Sequence, residues 1–131
     1  MNVYDTIRFL YPDMTFGPLG MCEISGATGE IIAWKYGGAQ PTPAEIAAAE
    51  LPAVKHWAIS ANRAECSRRM FERYPAGRQL SALAGLYDSA NVAAMHEWIA
   101  LNIAAENTAA DAIEAATTVA AVEAVSVSWP V

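Results

Sequence analysis

His96-Glu97 is the pair in this chain that most invites a catalytic reading, because it matches the opening of the helical His-Glu-x-x-His zinc motif. That motif needs a second imidazole one turn further along the same helix face, so that both nitrogens reach one metal. Position 100 is alanine, and the second ligand is missing. His56 lies far away in sequence, with no neighbouring cluster of cysteines or carboxylates. Both histidines are expected on partly exposed helix surfaces. Gly26-Ala27-Thr28-Gly29 and Gly17-Pro18-Leu19-Gly20 have the composition of phosphate-cradling loops. The first lacks the Lys-Ser/Thr ending, neither has the three-glycine dinucleotide spacing, and both are expected to be turns. Cys66 is close to Arg68 and Arg69, whose charge can lower a thiol pKa. No base is positioned beside it, so a reduced, buried thiol is expected there and at Cys22. The carboxylates of the second half are spread along helices without forming an acid/base pair. These residues predict no catalytic group, no metal and no cofactor.

The elements that carry them follow from hydrophobic period and local punctuation. Asn2 to Tyr11 can form a short helix, with Val3, Ile7 and Leu10 or Tyr11 on one side and Pro12 ending it. Met21–Ile24 and Glu30–Tyr36 flank a glycine-rich loop and read as an antiparallel hairpin, with Ile24, Ile32 and Trp34 sharing apolar faces. Thr42-Pro43-Ala44-Glu45 is a helix start. The Thr42 hydroxyl can accept from the Glu45 amide while the Glu45 carboxylate reaches back to the Thr42 amide, and Pro43 sits where a missing donor costs nothing.

Pro52 then predicts a kink or a break at Leu51. From Ala53 to Tyr74, Trp57, Ala61, Ala64 and Phe71 are expected to face inward, with Glu65/Arg69 and Arg68/Glu72 on a solvated outer face. Tyr74-Pro75-Ala76-Gly77 closes this helix. A shorter one is expected over Arg78–Tyr87 through Leu80, Leu83 and Leu86. Asp88 or Ser89 caps a long helix to about Ala116, with Val92, Met95, Ile99 and Ile103 on its apolar side and Trp98 adjoining. A short helix over Val119–Val125 and an extended tail complete the chain. The fold class is α+β, mostly α: a short N-terminal helix and β-hairpin, then a bundle of three to four helices. By composition it divides into a small α/β unit over 1–41 and an Ala-rich helical region with an extended C-terminal tail over 42–131.

At 131 residues and 54% apolar the chain can bury one modest core. About a fifth of it is alanine, which favours helix but contributes little buried area, so the core is thin and gains from an oligomer or a partner. The net charge of −6 hides a segregation. Lys55, Arg63, Arg68, Arg69, Arg73 and Arg78 lie between two acidic stretches, and no Lys or Arg follows Arg78. Either the basic helix neutralises the acidic helices after it, or it meets an oppositely charged partner. A nucleic-acid partner is disfavoured because the flanking acids repel phosphates. No stretch reads as a secretory signal or approaches the roughly 20 apolar residues of a membrane span, so no membrane role is expected. The aromatic residues are many for an alanine-built core. Trp129, in the tail, needs a surface to cover it, and a subunit interface would supply one.

Three segments carry a family resemblance: Val3-Tyr4-Asp5-Thr6-Ile7 through Tyr11-Pro12, the hairpin with Ile32-Ala33-Trp34, and Pro41-Thr42-Pro43-Ala44-Glu45-Ile46. Together they resemble the XkdW-like proteins of tailed bacteriophages and prophages. Arg73-Tyr74-Pro75-Ala76-Gly77-Arg78-Gln79-Leu80 and the Val-Ser-Trp-Pro ending look like segments of phage tail-fibre and tail-accessory proteins. The resemblance implies a non-enzymatic tail protein of the virion, made in the bacterial cytoplasm. It would contact other tail or fibre proteins, with a homo-oligomer possible, and it brings no catalytic residues. The candidate contact residues are Trp34, Tyr36, Arg63, Arg68, Arg69, Arg73, Arg78 and Trp129. An assembly chaperone absent from finished particles is the alternative. A small regulatory or enzymatic domain using His96 and Glu97 is a third reading.

Overall fold

The computed structural model describes residues 3–131 and shows an α+β, mostly α chain. Its elements are α1 (Val3–Leu10), β1 (Cys22–Ile24), β2 (Ile31–Trp34), α2 (Pro43–Arg73), α3 (Ala76–Leu83), α4 (Ser89–Ala115) and α5 (Val119–Glu123). The expected start of the first helix at Asn2 lies outside the described residues. The chain forms two compact units, 1–56 and 57–131, with the boundary inside α2. Composition divides the chain near Pro41, whereas packing divides it between His56 and Trp57. The first turns of α2, with buried Ala49, Ala53 and Val54, belong to the first unit.

In the first unit, Ile7 of α1 is fully buried with Met14, Cys22 and Ile24, and Tyr11 rather than Leu10 packs against them. β1 and β2 pair antiparallel, and the far side of β1 is closed by residues 15–17. There the Gly17 amide donates to the Cys22 carbonyl and the Cys22 amide to the Thr15 carbonyl, each at 3.0 Å. Gly20 makes that turn possible, since a Cβ there would lie 2.7 Å from the Phe16 backbone.

Strict alternation fails in β2. Glu23 pairs with Ala33 but Ile24 pairs with Ile31, so Ile32 is the extra residue of a bulge. Ile31 and Trp34 pack on the core while Ile32 is 60% exposed, against the expectation that Ile32 and Trp34 share an apolar face.

α2 starts as its sequence dictates. The Thr42 amide donates to Glu45 Oε2 at 2.7 Å and the Glu45 amide to Thr42 Oγ1 at 3.2 Å. Thr42→Ala is expected to cost about 1 kcal/mol in urea unfolding, the usual worth of such a cap.

The helix is not broken at Leu51 but continues through Pro52. Proline removes one donor, the partner of the Ala48 carbonyl, and both residues are exposed, so water can satisfy that oxygen. Pro52→Ala restores the bond and is expected to stabilise the protein by about 2 kcal/mol, read as a rise in the urea midpoint.

In the second unit the caps are again local. Asp88 Oδ1 accepts from the Asn91 amide at 2.8 Å and starts α4, and Thr118 Oγ1 accepts from the Ala121 amide at 3.1 Å and starts α5. α3 stops earlier than Tyr87 because Gly85 takes a left-handed φ of 77°, closing a turn in which the Leu86 amide donates to the Ser81 carbonyl. Leu80, Leu83 and Leu86 are therefore not interior. They are 66%, 85% and 74% exposed. Among the described residues no helix is long and apolar enough to cross a membrane.

Candidate functional site

The buried side of α4 runs through Met95, Asn102, Glu106, Ala109 and Ile113, with Ile99 half-buried between them. These positions alternate in steps of four and three, the spacing of a helix–helix seam, and two of them are polar. Ile103, expected on this side, is instead exposed. On α2, Ile59, Asn62, Cys66 and Arg69 are among the half-buried or buried positions and follow the same alternation. The expected inward set of Trp57, Ala61, Ala64 and Phe71 is corrected accordingly. Ala61, Ala64 and Phe71 are exposed, and Trp57 is half-buried. Hydropathy ranks alanine and phenylalanine above asparagine and arginine, yet Asn102 and Arg69 lie in the seam, where each finds a hydrogen-bond partner. The buried Glu106 Oε1 has none among the described residues.

The satisfied bonds centre on Arg69. Its Nε donates to Asn102 Oδ1 at 3.0 Å, and Asn102 Nδ2 donates to the Trp98 carbonyl at 2.9 Å. Its terminal nitrogen donates to the Pro130 carbonyl, so one guanidinium ties α2 to α4 and to the C-terminal tail. The same guanidinium lies 5.7 Å from the Trp98 ring centre and 5.5 Å from that of Trp129. Trp129 thus has an intramolecular surface to cover it.

Arg63 Nε stands 3.7 Å from Glu106 Oε1. Arg68 turns outward and pairs with Glu65 and Glu72 of its own helix. Its hydrogen bonds hold the Glu65 carboxyl below the usual carboxylate range. Cys66 beside this seam is pushed up from the ordinary thiol value, first by burial and then by the Glu106 charge, with Arg69 opposing. Burial raises Cys22 as well. Both are free thiols held in the protonated form, so alkylation by iodoacetamide is expected to follow global unfolding, with urea dependence matching the unfolding curve.

Arg73 and Arg78 behave differently. The Arg73 guanidinium stacks 4.3 Å from the centre of the Trp98 ring, and that of Arg78 lies 5.6 Å from Tyr74. Among the described residues no carboxylate lies within ion-pair distance of either. The basic segment is thus neutralised in part within the unit, and two cations at its end are left over.

Of the sequence candidates, Arg68, Arg69, Arg73 and Trp129 come together around Trp98, with Arg78 on the next helix. Trp34 and Tyr36 belong to the first unit, where they form an aromatic cluster with Tyr11. Ring centres are 5.1 Å apart for Tyr11–Trp34 and 5.0 Å for Tyr11–Tyr36. The Trp34 Nε1 donor is buried there without a partner among the described residues. His96 and Glu97 are exposed on α4, and the His56 ring lies 5.4 Å from that of Phe9. Sequence reasoning missed Asn102 and Glu106, although the four-three alternation running through them was a signal for both. No family model, curated protein or solved structure matches this chain. The geometry places arginines over aromatic rings and leaves leucines exposed.

Proposed function

We propose that this chain is a non-enzymatic, tail-associated structural protein of a bacteriophage, acting through protein–protein contacts with tail, fibre or baseplate components. The observation that carries the interaction part is the run Leu80, Leu83 and Leu86, each at least 66% exposed on a unit whose buried apolar set is only Cys66, Ala82, Met95, Ala109, Ile113 and Val122. Large apolar side chains left exposed on so small a core mark a surface suited to being covered on assembly. Arginine and tryptophan, which meet in the same unit at Arg69, Arg73 and Trp98, are residue types enriched among the side chains that dominate binding energy at interfaces. The tail assignment rests on the resemblance of the Pro41–Ile46 and Arg73–Leu80 segments and the two-stranded unit before them.

Quantitative mass spectrometry of purified particles tests it. A fixed ratio to the major tail proteins is the expected result, and presence in the lysate alone would replace a virion part with a departing chaperone. Leu83→Glu is expected to lower incorporation at least about tenfold while the urea midpoint stays within error, because the side chain is already in water.

A further inference from the structure

Where the end of α2, α3 and the first turns of α4 meet, the second unit holds a pocket of about 210 Å³. Arg73 and Arg78 line it, and neither has an acid partner among the described residues. Of the acids close to the pocket in sequence, Glu72 pairs with Arg68, and the Asp88 carboxylate is engaged in capping the Asn91 amide. Each guanidinium lies over an aromatic ring, that of Arg73 4.3 Å from the centre of Trp98 and that of Arg78 5.6 Å from the centre of Tyr74. Guanidinium N–H groups without an acid partner are the donors that grip a carboxylate in a two-pronged fork. The lining also includes buried Ala82 and Met95 and the partly exposed Tyr87. The side-chain amide of Asn91 adds a polar group that can donate or accept.

The geometry points to a binding pocket for a carboxylate carried on a compact apolar body, gripped by Arg73 and Arg78 and packed against Met95 and Tyr87. In a protein partner that group is an acidic side chain or a terminal carboxylate flanked by an apolar residue. The identity of the ligand as part of a tail protein rests on the function proposed above, but the pocket's chemistry does not. A polyanion fits less well. It would use the two cations and leave the apolar wall empty, against a chain of net charge −6.

The test is a titration of the full chain followed by proton–nitrogen NMR, reading the Arg73 and Arg78 side-chain Nε–H signals. The probes are 3-phenylpropanoate, acetate and inorganic phosphate at equal ionic strength. Saturable shifts at both arginines are expected with 3-phenylpropanoate at millimolar concentration, at least about tenfold tighter than with acetate. Arg78→Gln should weaken binding at least about tenfold, the loss of one charge-assisted fork. Arg73→Gln should do the same, with the unchanged Arg69 signals showing that the seam is intact. Linear shifts without saturation, equal binding by the glutamine variants, or phosphate outcompeting the carboxylates would each overturn the proposal. Carboxylate binding together with absence from particles would sink the tail function alone. Presence in particles without carboxylate binding would sink the pocket alone.

Discussion

Arg69→Ala is expected to destabilise the second unit by about 3 kcal/mol and to free the C-terminal tail. The loss has three parts. Asn102 is 0% exposed, so its Oδ1 is stranded away from water once the Arg69 Nε is gone, at a cost of about 1–3 kcal/mol. Stacking on Trp98 and Trp129 contributes about 0.5–2 kcal/mol in a partly desolvated site. The bond to the Pro130 carbonyl, the tail's tie to α2, is lost as well. Urea unfolding reads the stability, and amide exchange over residues 125–131 reads the tail. Arg69→Lys separates charge from shape. An ammonium keeps the charge but has no planar fork to reach Asn102 and Pro130 together, so most of the loss should remain. In a double-mutant cycle, Arg69→Ala with Asn102→Leu should cost less than the sum of the two singles, because the leucine removes the stranded oxygen. If Arg69→Ala costs less than about 1 kcal/mol, the seam is held by its alanines and the polar group is incidental.

The second large effect lies in the first unit, where Ile7→Ala is expected to cost about 3–4 kcal/mol. Ile7 is fully buried among Met14, Cys22 and Ile24, all carried on short segments that cannot close on a missing side chain without losing contacts elsewhere. The cost is the lost transfer energy plus the cavity left behind, which together span about 2–5 kcal/mol for such truncations. A two-stranded hairpin has little stability of its own, so its amides should lose protection from exchange together with α1. Leu10→Ala on the same helix is the control. Leu10 is largely exposed, and its truncation should cost under about 1 kcal/mol. Equal losses at the two positions would mean that the buried cluster does not hold the unit together.

Local rules were legible in this chain wherever a side chain meets its own backbone within three residues. Thr42 with Glu45 and Asp88 with Asn91 form the caps their sequence predicts, and Thr118 with Ala121 forms another of the same kind. The reason is that such a bond needs only the local chain geometry, and no distant partner can redirect it cheaply. The hairpin and the long α4 follow from the same short-range logic. Pro52 shows its limit. A breaker predicts a local cost, yet one lost hydrogen bond at a solvated position is outweighed by the helical residues on either side.

What sequence alone determined is therefore the α+β, mostly α class, the caps and the approximate elements, together with the chain's segregated charge. Which faces turn inward was decided by tertiary structure. Ile31 rather than Ile32 packs on the core because a bulge shifts the pairing of β2 by one residue, and period-two reading cannot see a shift set by the partner strand. Asn102 is buried and Arg69 half-buried while Phe71 and Leu83 are exposed because the hydrogen-bonded pair spans 33 residues and exists only once α2 and α4 lie together. Burial depends on what each side chain meets, and for a polar group a satisfied partner outweighs its hydropathy.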